Sequence, residues 1–168
     1  MTVALRNRSV MVLVALLCVA ALASCGRSQP KLIAPEARAP KPQKLHGPHL
    51  WVSIAPDANQ DSPIAVDLAA VTDSRLLKML TQTTVSKWFQ QRTQWELDNP
   101  GLITVYSWQW VPGQQVTPIP LKLPGGTKAV LVFANYHDPK AQALVLSPGG
   151  GGLALRLLAD GVAGYGVK

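Results

Sequence analysis

The chain has 168 residues, 48% of them hydrophobic and 15% charged, with 16 Lys and Arg against 9 Asp and Glu. That length suits one domain and is short for two full cores, and the apolar content excludes a disordered chain. The net charge of +7 is concentrated near the N-terminus, in Arg6, Arg8, Arg27, Lys31, Arg38, Lys41 and Lys44. Residues 49–168 carry nine basic and eight acidic side chains. A folding region this close to neutral offers no broad basic groove, so no nucleic-acid partner is expected.

Residues 1–24 read as a lipoprotein signal peptide. Arg6 and Arg8 precede an unbroken apolar run from Val10 to Ala23. At about 1.5 Å per residue that run spans roughly 21 Å, short of the roughly 30 Å hydrocarbon core that a transmembrane helix must cross. Leu22-Ala23-Ser24-Cys25 is similar to the bacterial lipobox. That likeness implies that Cys25 becomes the first mature residue, carrying an S-diacylglycerol and an N-acyl chain, with no other cofactor. Each buried methylene adds about 0.8 kcal/mol of membrane affinity, so several long chains hold a protein firmly in outer-membrane lipid. In lipoproteins of this type the residue after the cysteine influences sorting, and Gly26 implies the outer membrane. Cys18 lies within the signal, which leaves the mature chain no disulfide.

Residues 25–48 read as the acylated cysteine followed by a tether. Pro30, Pro35, Pro40, Pro42 and Pro48 bias that segment toward extended conformations, and its five basic residues either keep it solvated, the preferred reading, or rest on anionic lipid.

From His49 to Lys168 the pattern is mainly β. His49–Ile54 and Ile64–Val71 alternate, the second placing Ile64, Val66 and Leu68 on one face. Leu102–Trp110 and Ala129–Tyr136 are rich in β-branched and aromatic residues. Val116–Leu123, demoted to an edge by Pro118 and Pro120, comes next, followed by Ala143–Ser147, Leu153–Leu158 and Val162–Val167. About eight short strands separated by Pro/Gly turns predict a β-sandwich. Between the second and third strands, residues 73–97 lack Gly and Pro and repeat Leu77, Leu80, Thr84 and Trp88 at helical steps. This predicts a helical insert, capped by Asp73 or Ser74 and split near Thr83-Thr84, which packs on the sandwich or caps one end.

Enzymatic signals are weak. The glycine runs at 124–126 and 148–152 lack the Gly-Lys-Ser/Thr order of a phosphate loop and read as hairpin turns. His46 and His49 lie at the linker edge, and His137-Asp138 has no nucleophile placed beside it, so neither a metal site nor a catalytic residue is expected. Trp88 and Trp108 are candidates for the core. Trp108 and Trp110 share a strand face that either packs the helical insert or serves as a contact site.

Taken in order, the lipobox, the proline-bearing tether and Ile54-Ala-Pro-Asp57-Ala-Asn-Gln-Asp-Ser-Pro63-Ile-Ala-Val66 resemble the type VI secretion lipoproteins of the TssJ/VasD family. The likeness continues through the Leu-rich insert, Val111-Pro112-Gly113-Gln114 and Leu131–Tyr136. Ala55 stands where the family has Asn before its proline, and Val66-Asp67-Leu68 lacks the Arg and Tyr common in its second strand. The resemblance implies a transthyretin-like β-sandwich held under the outer membrane, which anchors the periplasmic end of an inner-membrane component of the TssM type. It maps the partner-binding loop onto Asp57, Ala58, Asn59, Gln60, Asp61 and Ser62, a polar, proline-bounded stretch expected to be exposed. Two other functions fit the same sequence. One is a pilotin that escorts a secretin, and the other a small periplasmic hydrolase or ligand carrier.

Overall fold

The computed structural model describes residues 47–138 and 140–168. The signal peptide, Cys25 and all of the tether except Gly47 and Pro48 lie outside the described residues. The described chain runs β1 (His49–Ile54), β2 (Ile64–Val71), α1 (Ser74–Thr81), α2 (Val85–Asp98), β3 (Ile103–Trp110), β4 (Ile119–Pro120), β5 (Ala129–Ala134), β6 (Leu144–Leu146), β7 (Gly152–Leu157) and β8 (Val162–Val167). These eight strands form two four-stranded sheets, ordered β4-β1-β7-β8 and β3-β2-β5-β6. The expected sandwich with a helical insert is therefore the observed architecture.

Alternation explains how β2 and β5 serve two cores. Ile64, Val66, Leu68 and Ala70 join Val130 and Val132 in the layer between the sheets, where they meet Leu50, Leu153, Leu155 and Leu157. The opposite face carries Ala69, Val71, Leu131 and Phe133, and these pack against Leu76, Leu80 and Trp88 of the insert. A strand covered on both sides reads as a nearly continuous apolar run, as both of these do. The insert thus lies on the outer face of one sheet and does not cap an end. The first helix begins at a predicted cap, the Asp73 carboxylate accepting from Leu76 N–H; the insert breaks where expected, near Thr83-Thr84, and the Thr84 hydroxyl caps the second helix by accepting from Lys87 N–H.

One polar side chain lies on the insert side of β2. Asp67 is 1% exposed and accepts hydrogen bonds from Trp88 Nε1 (2.9 Å) and Arg92 (3.2 Å), which also donates to Ser107 Oγ (3.1 Å). Beside it the Trp88 ring stacks on Phe133 at 4.2 Å.

Three sequence expectations are corrected. The β4 strand shrinks to two residues, because Pro118 and Pro120 remove ladder donors. The Trp108–Trp110 face does not meet the helical insert. The register Ile64↔Trp110, Val66↔Trp108 and Leu68↔Tyr106 turns it toward the layer between the sheets, where the three rings stack in sequence at 6.2 and 5.5 Å. Neither glycine run is a hairpin turn, since residues 124–126 lie between β4 in one sheet and β5 in the other, and Gly149–Gly152 carries the chain from β6 to β7, again between sheets.

Candidate functional site

The segment between β1 and β2 starts from a backbone clamp. Ala55 N–H donates to Leu157 O (2.9 Å), and Ala55 O accepts from both Ala58 and Gly113 N–H (3.1 Å each). One residue thus joins the end of β1 to the end of β7 and to the chain leaving β3.

Beyond the clamp the backbone enters a left-handed turn. Asn59, Gln60 and Asp61 have φ of 49°, 51° and 62°, and Ser62 N–H closes the turn on Asn59 O at 3.1 Å. Left-handed backbone costs L-residues roughly 1–2 kcal/mol each. Asn and Asp tolerate it through short polar side chains, whereas Gln has no such advantage. The turn is held by its neighbours: Asn59 N–H donates to Leu158 O (3.2 Å), and its side-chain amide donates to Pro63 O (3.1 Å) and Ser62 O (3.4 Å). Asn59 Oδ1 is buried with no hydrogen-bond partner among the described residues. Three strained residues in succession persist only where the surroundings over-determine them, and such strain gathers at functional surfaces.

The predicted loop is therefore not uniformly exposed. Ala58 is 0% and Asn59 4% exposed, acting as internal anchors. Asp57, Gln60 and Asp61 face solvent and Ser62 is half-buried. The exposed groups of the braced turn are two carboxylates and one amide. Beside it runs a shallow groove lined by Ser53, Pro56, Gly113, Gln114 and Val116. Gln114 is fixed there, its Oε1 accepting from Val111 N–H at 3.1 Å. Composition at 56–63 marks a turn, but the long-range bonds to Leu158 and Gly113 that shape it leave no local signature.

Tyr136 follows β5 and is packed against the inter-sheet core. Burial pushes its phenol up from 10.0 to about 12, and the Leu158 backbone offsets part of that shift. No bond of regular geometry joins them, and the hydroxyl is buried without a partner among the described residues. Because the folded state favours the protonated phenol, this contribution to stability is complete below pH 10 and disappears as pH rises toward 12. Tyr136→Phe is expected to leave the thermal midpoint at neutral pH nearly unchanged. It should also flatten the midpoint's fall above pH 10, as read by circular dichroism melts across that range.

Other motifs show ordinary local roles. His49 is buried, with Nδ1 2.8 Å from Gly47 O. Asp138 Oδ1 accepts from Lys140 N–H (2.9 Å) in the turn after β5. The run Pro124–Lys128 closes on itself through Thr127 Oγ1 donating to Pro124 O (2.7 Å), and β5 follows it in place of a phosphate-binding helix. Among the described residues no group of three or more His, Cys, Asp or Glu is placed to hold a metal ion.

No family model matches the sequence, and no curated protein matches it. Solved structures do. The chain is similar to the crystal structure of the T6SS lipoprotein TssJ1 from Pseudomonas aeruginosa, with 18% identity and a TM-score of 0.55 over 73% of this chain and 98% of that one. It is also similar to Serratia marcescens Lip, a membrane-bound component of the type VI secretion system, with 13% identity and a TM-score of 0.52 over 73% and 97% of the two chains. A chain of a type VI membrane complex matches at 15% identity and a TM-score of 0.51, over 70% and 95%. The fold of this chain is thus the fold of these lipoproteins.

Proposed function

We propose that this chain is an acyl-anchored lipoprotein of the TssJ/VasD family at the periplasmic face of the outer membrane. There it docks the membrane core complex of a type VI secretion system by binding the periplasmic end of the TssM-type inner-membrane component. The observation that carries this reading is the braced left-handed turn Asn59–Asp61, which presents Asp57, Gln60 and Asp61 on a fold shared with type VI lipoproteins. Carboxylates at such a rim accelerate encounter with a basic patch and make binding weaken with salt. A contact of this polar character suits a partly wet interface. The test is co-purification of the full chain with the periplasmic segment of that inner-membrane component. Retention that declines as salt rises supports the reading, and absence of any retention at low salt contradicts it.

The anchor has its own test. Cys25→Ser should yield unprocessed precursor or protein missing from outer-membrane fractions, while the wild-type N-terminal peptide carries acyl mass. Unchanged outer-membrane association of the variant, with no acyl mass on the wild type, would contradict lipidation.

A further inference from the structure

The two flanks of the sandwich are protected differently. Where β3 and β4 end their sheets, β4 is two residues long and includes Pro120, and the Tyr106 hydroxyl donates to Lys122 O, tying the proline-bearing connection beside β3. On the other flank β6 and β8 are the terminal strands. There β8 runs six residues, Val-Ala-Gly-Tyr-Gly-Val, without a proline or a charge. An uncharged edge of that length, with no second strand paired to it among the described residues, is a template for strand pairing.

Its unspent groups can be assigned. β8 pairs with β7 in antiparallel register from Gly152↔Val167 to Leu157↔Val162, and Leu158 N–H donates to Gly161 O at 2.9 Å. Bonding alternates along an antiparallel ladder. In this phase Ala163, Tyr165 and Val167 direct their N–H and C=O groups to β7, whereas Val162, Gly164 and Gly166 direct theirs outward. Among the described residues no second strand pairs with β8. The glycines are there because their surroundings leave no room for a Cβ: one on Gly164 would lie 2.7 Å from Ala154 O and 2.8 Å from Leu155 Cδ2 of β7 and 3.2 Å from Leu146 Cδ1 of β6, and one on Gly166 would overlap Ser147 O. Tyr165 projects from the other face, 62% exposed.

We propose that β8 is a self-pairing edge that joins two copies of this chain antiparallel about a two-fold axis through Gly164. The residue order is self-complementary in that register. Val162 faces Gly166 of the second copy, and Ala163 faces its Tyr165, so each larger side chain meets a smaller one. The outward N–H and C=O groups of residues 162, 164 and 166 then fall into hydrogen-bonded pairs. The same register brings Lys168 to the Asp160 turn of the second copy, at both ends of the contact. Size, backbone phase and charge all select one alignment, the self-complementarity that a two-fold interface demands.

The test uses the full chain in detergent, with its concentration varied in sedimentation velocity runs. A reversible monomer–dimer equilibrium is expected. The double substitution Ala163→Lys and Tyr165→Lys places lysines directly opposite one another twice, and should raise the dimer dissociation constant by about tenfold or more. Both side chains are exposed, so the thermal midpoint should hold, which separates lost pairing from lost folding. A mixture of Ala163→Cys and Tyr165→Cys chains, mildly oxidised, should form the 163–165 disulfide in preference to either like pair, because facing residues there lie within disulfide reach. A chain that stays monomeric into the high micromolar range overturns the proposal. So does a dimer indifferent to the lysine pair, or an oxidised mixture without the 163–165 cross-link.

Discussion

Asp67→Ala is expected to destabilise the domain by about 3 kcal/mol, lowering the thermal midpoint by roughly 10–15 °C. The substitution removes the acceptor for Trp88 Nε1, which lies on a fully buried ring, and leaves that donor without a partner. It also strips Arg92 of its carboxylate, but this loss is smaller because the Arg92 side chain is 38% exposed and water can replace the partner. Arg92→Ala should accordingly cost about 1 kcal/mol, since Asp67 keeps its bond to Trp88. Equal losses in the two variants, measured by urea unfolding, would show that the ion pair and not the buried indole bond holds the insert to β2.

Gly152→Ala should be at least as damaging, at about 4 kcal/mol. A Cβ there would overlap the His49 carbonyl across the parallel β1–β7 pair, and Gly152 has a φ of 110°, which L side chains rarely adopt. Backbone strain and overpacking each contribute about 1–3 kcal/mol, and no flexible side chain can yield, because the obstacle is main chain. By contrast, Gly150→Ala meets nothing within 4 Å among the described residues and should change the unfolding free energy by less than about 0.5 kcal/mol. Similar stability of the two variants would contradict the close β1–β7 approach at the sheet crossing.

Local chemistry is what the sequence conveys best. Alternation located β1 and β2, β-branched and aromatic content located β3 and β5, Asp73 marked the first helix start, and Thr83-Thr84 marked the break in the insert, because caps, composition and periodicity depend on near neighbours. The pairing of β1 with β7, about a hundred positions apart and parallel, has no local signature. Asp67 was legible only as a polar residue in an alternating strand, which ordinarily means solvent. It became a buried acceptor because a helix folded from residues 85–98 supplies Trp88 and Arg92. The Trp108–Trp110 face shows the same division: the shared face could be read, but which core it meets depends on the register with β2. At the candidate site, proline-bounded Asn and Asp announce a turn. The left-handed Gln60 and the burial of Ala58 and Asn59 depend on Ala55, Leu158 and Pro63, so an exposed loop was the natural expectation.

That difference determines how the proposed docking surface has to be probed. Replacing the whole of 57–62 with Gly and Ser would remove the Ala58 and Asn59 anchors together with the exposed groups, confounding recognition with stability. The direct measurement is calorimetric titration of the inner-membrane component's periplasmic segment into the full chain and into an Asp57→Asn, Gln60→Asn, Asp61→Asn variant. Asparagine tolerates the left-handed backbone, so the turn and the thermal midpoint should survive while both charges vanish. Docking through this turn predicts a loss of affinity of about 30-fold or more, together with a flattened salt dependence. Wild-type affinity and an unchanged salt slope in the variant would contradict docking through this turn.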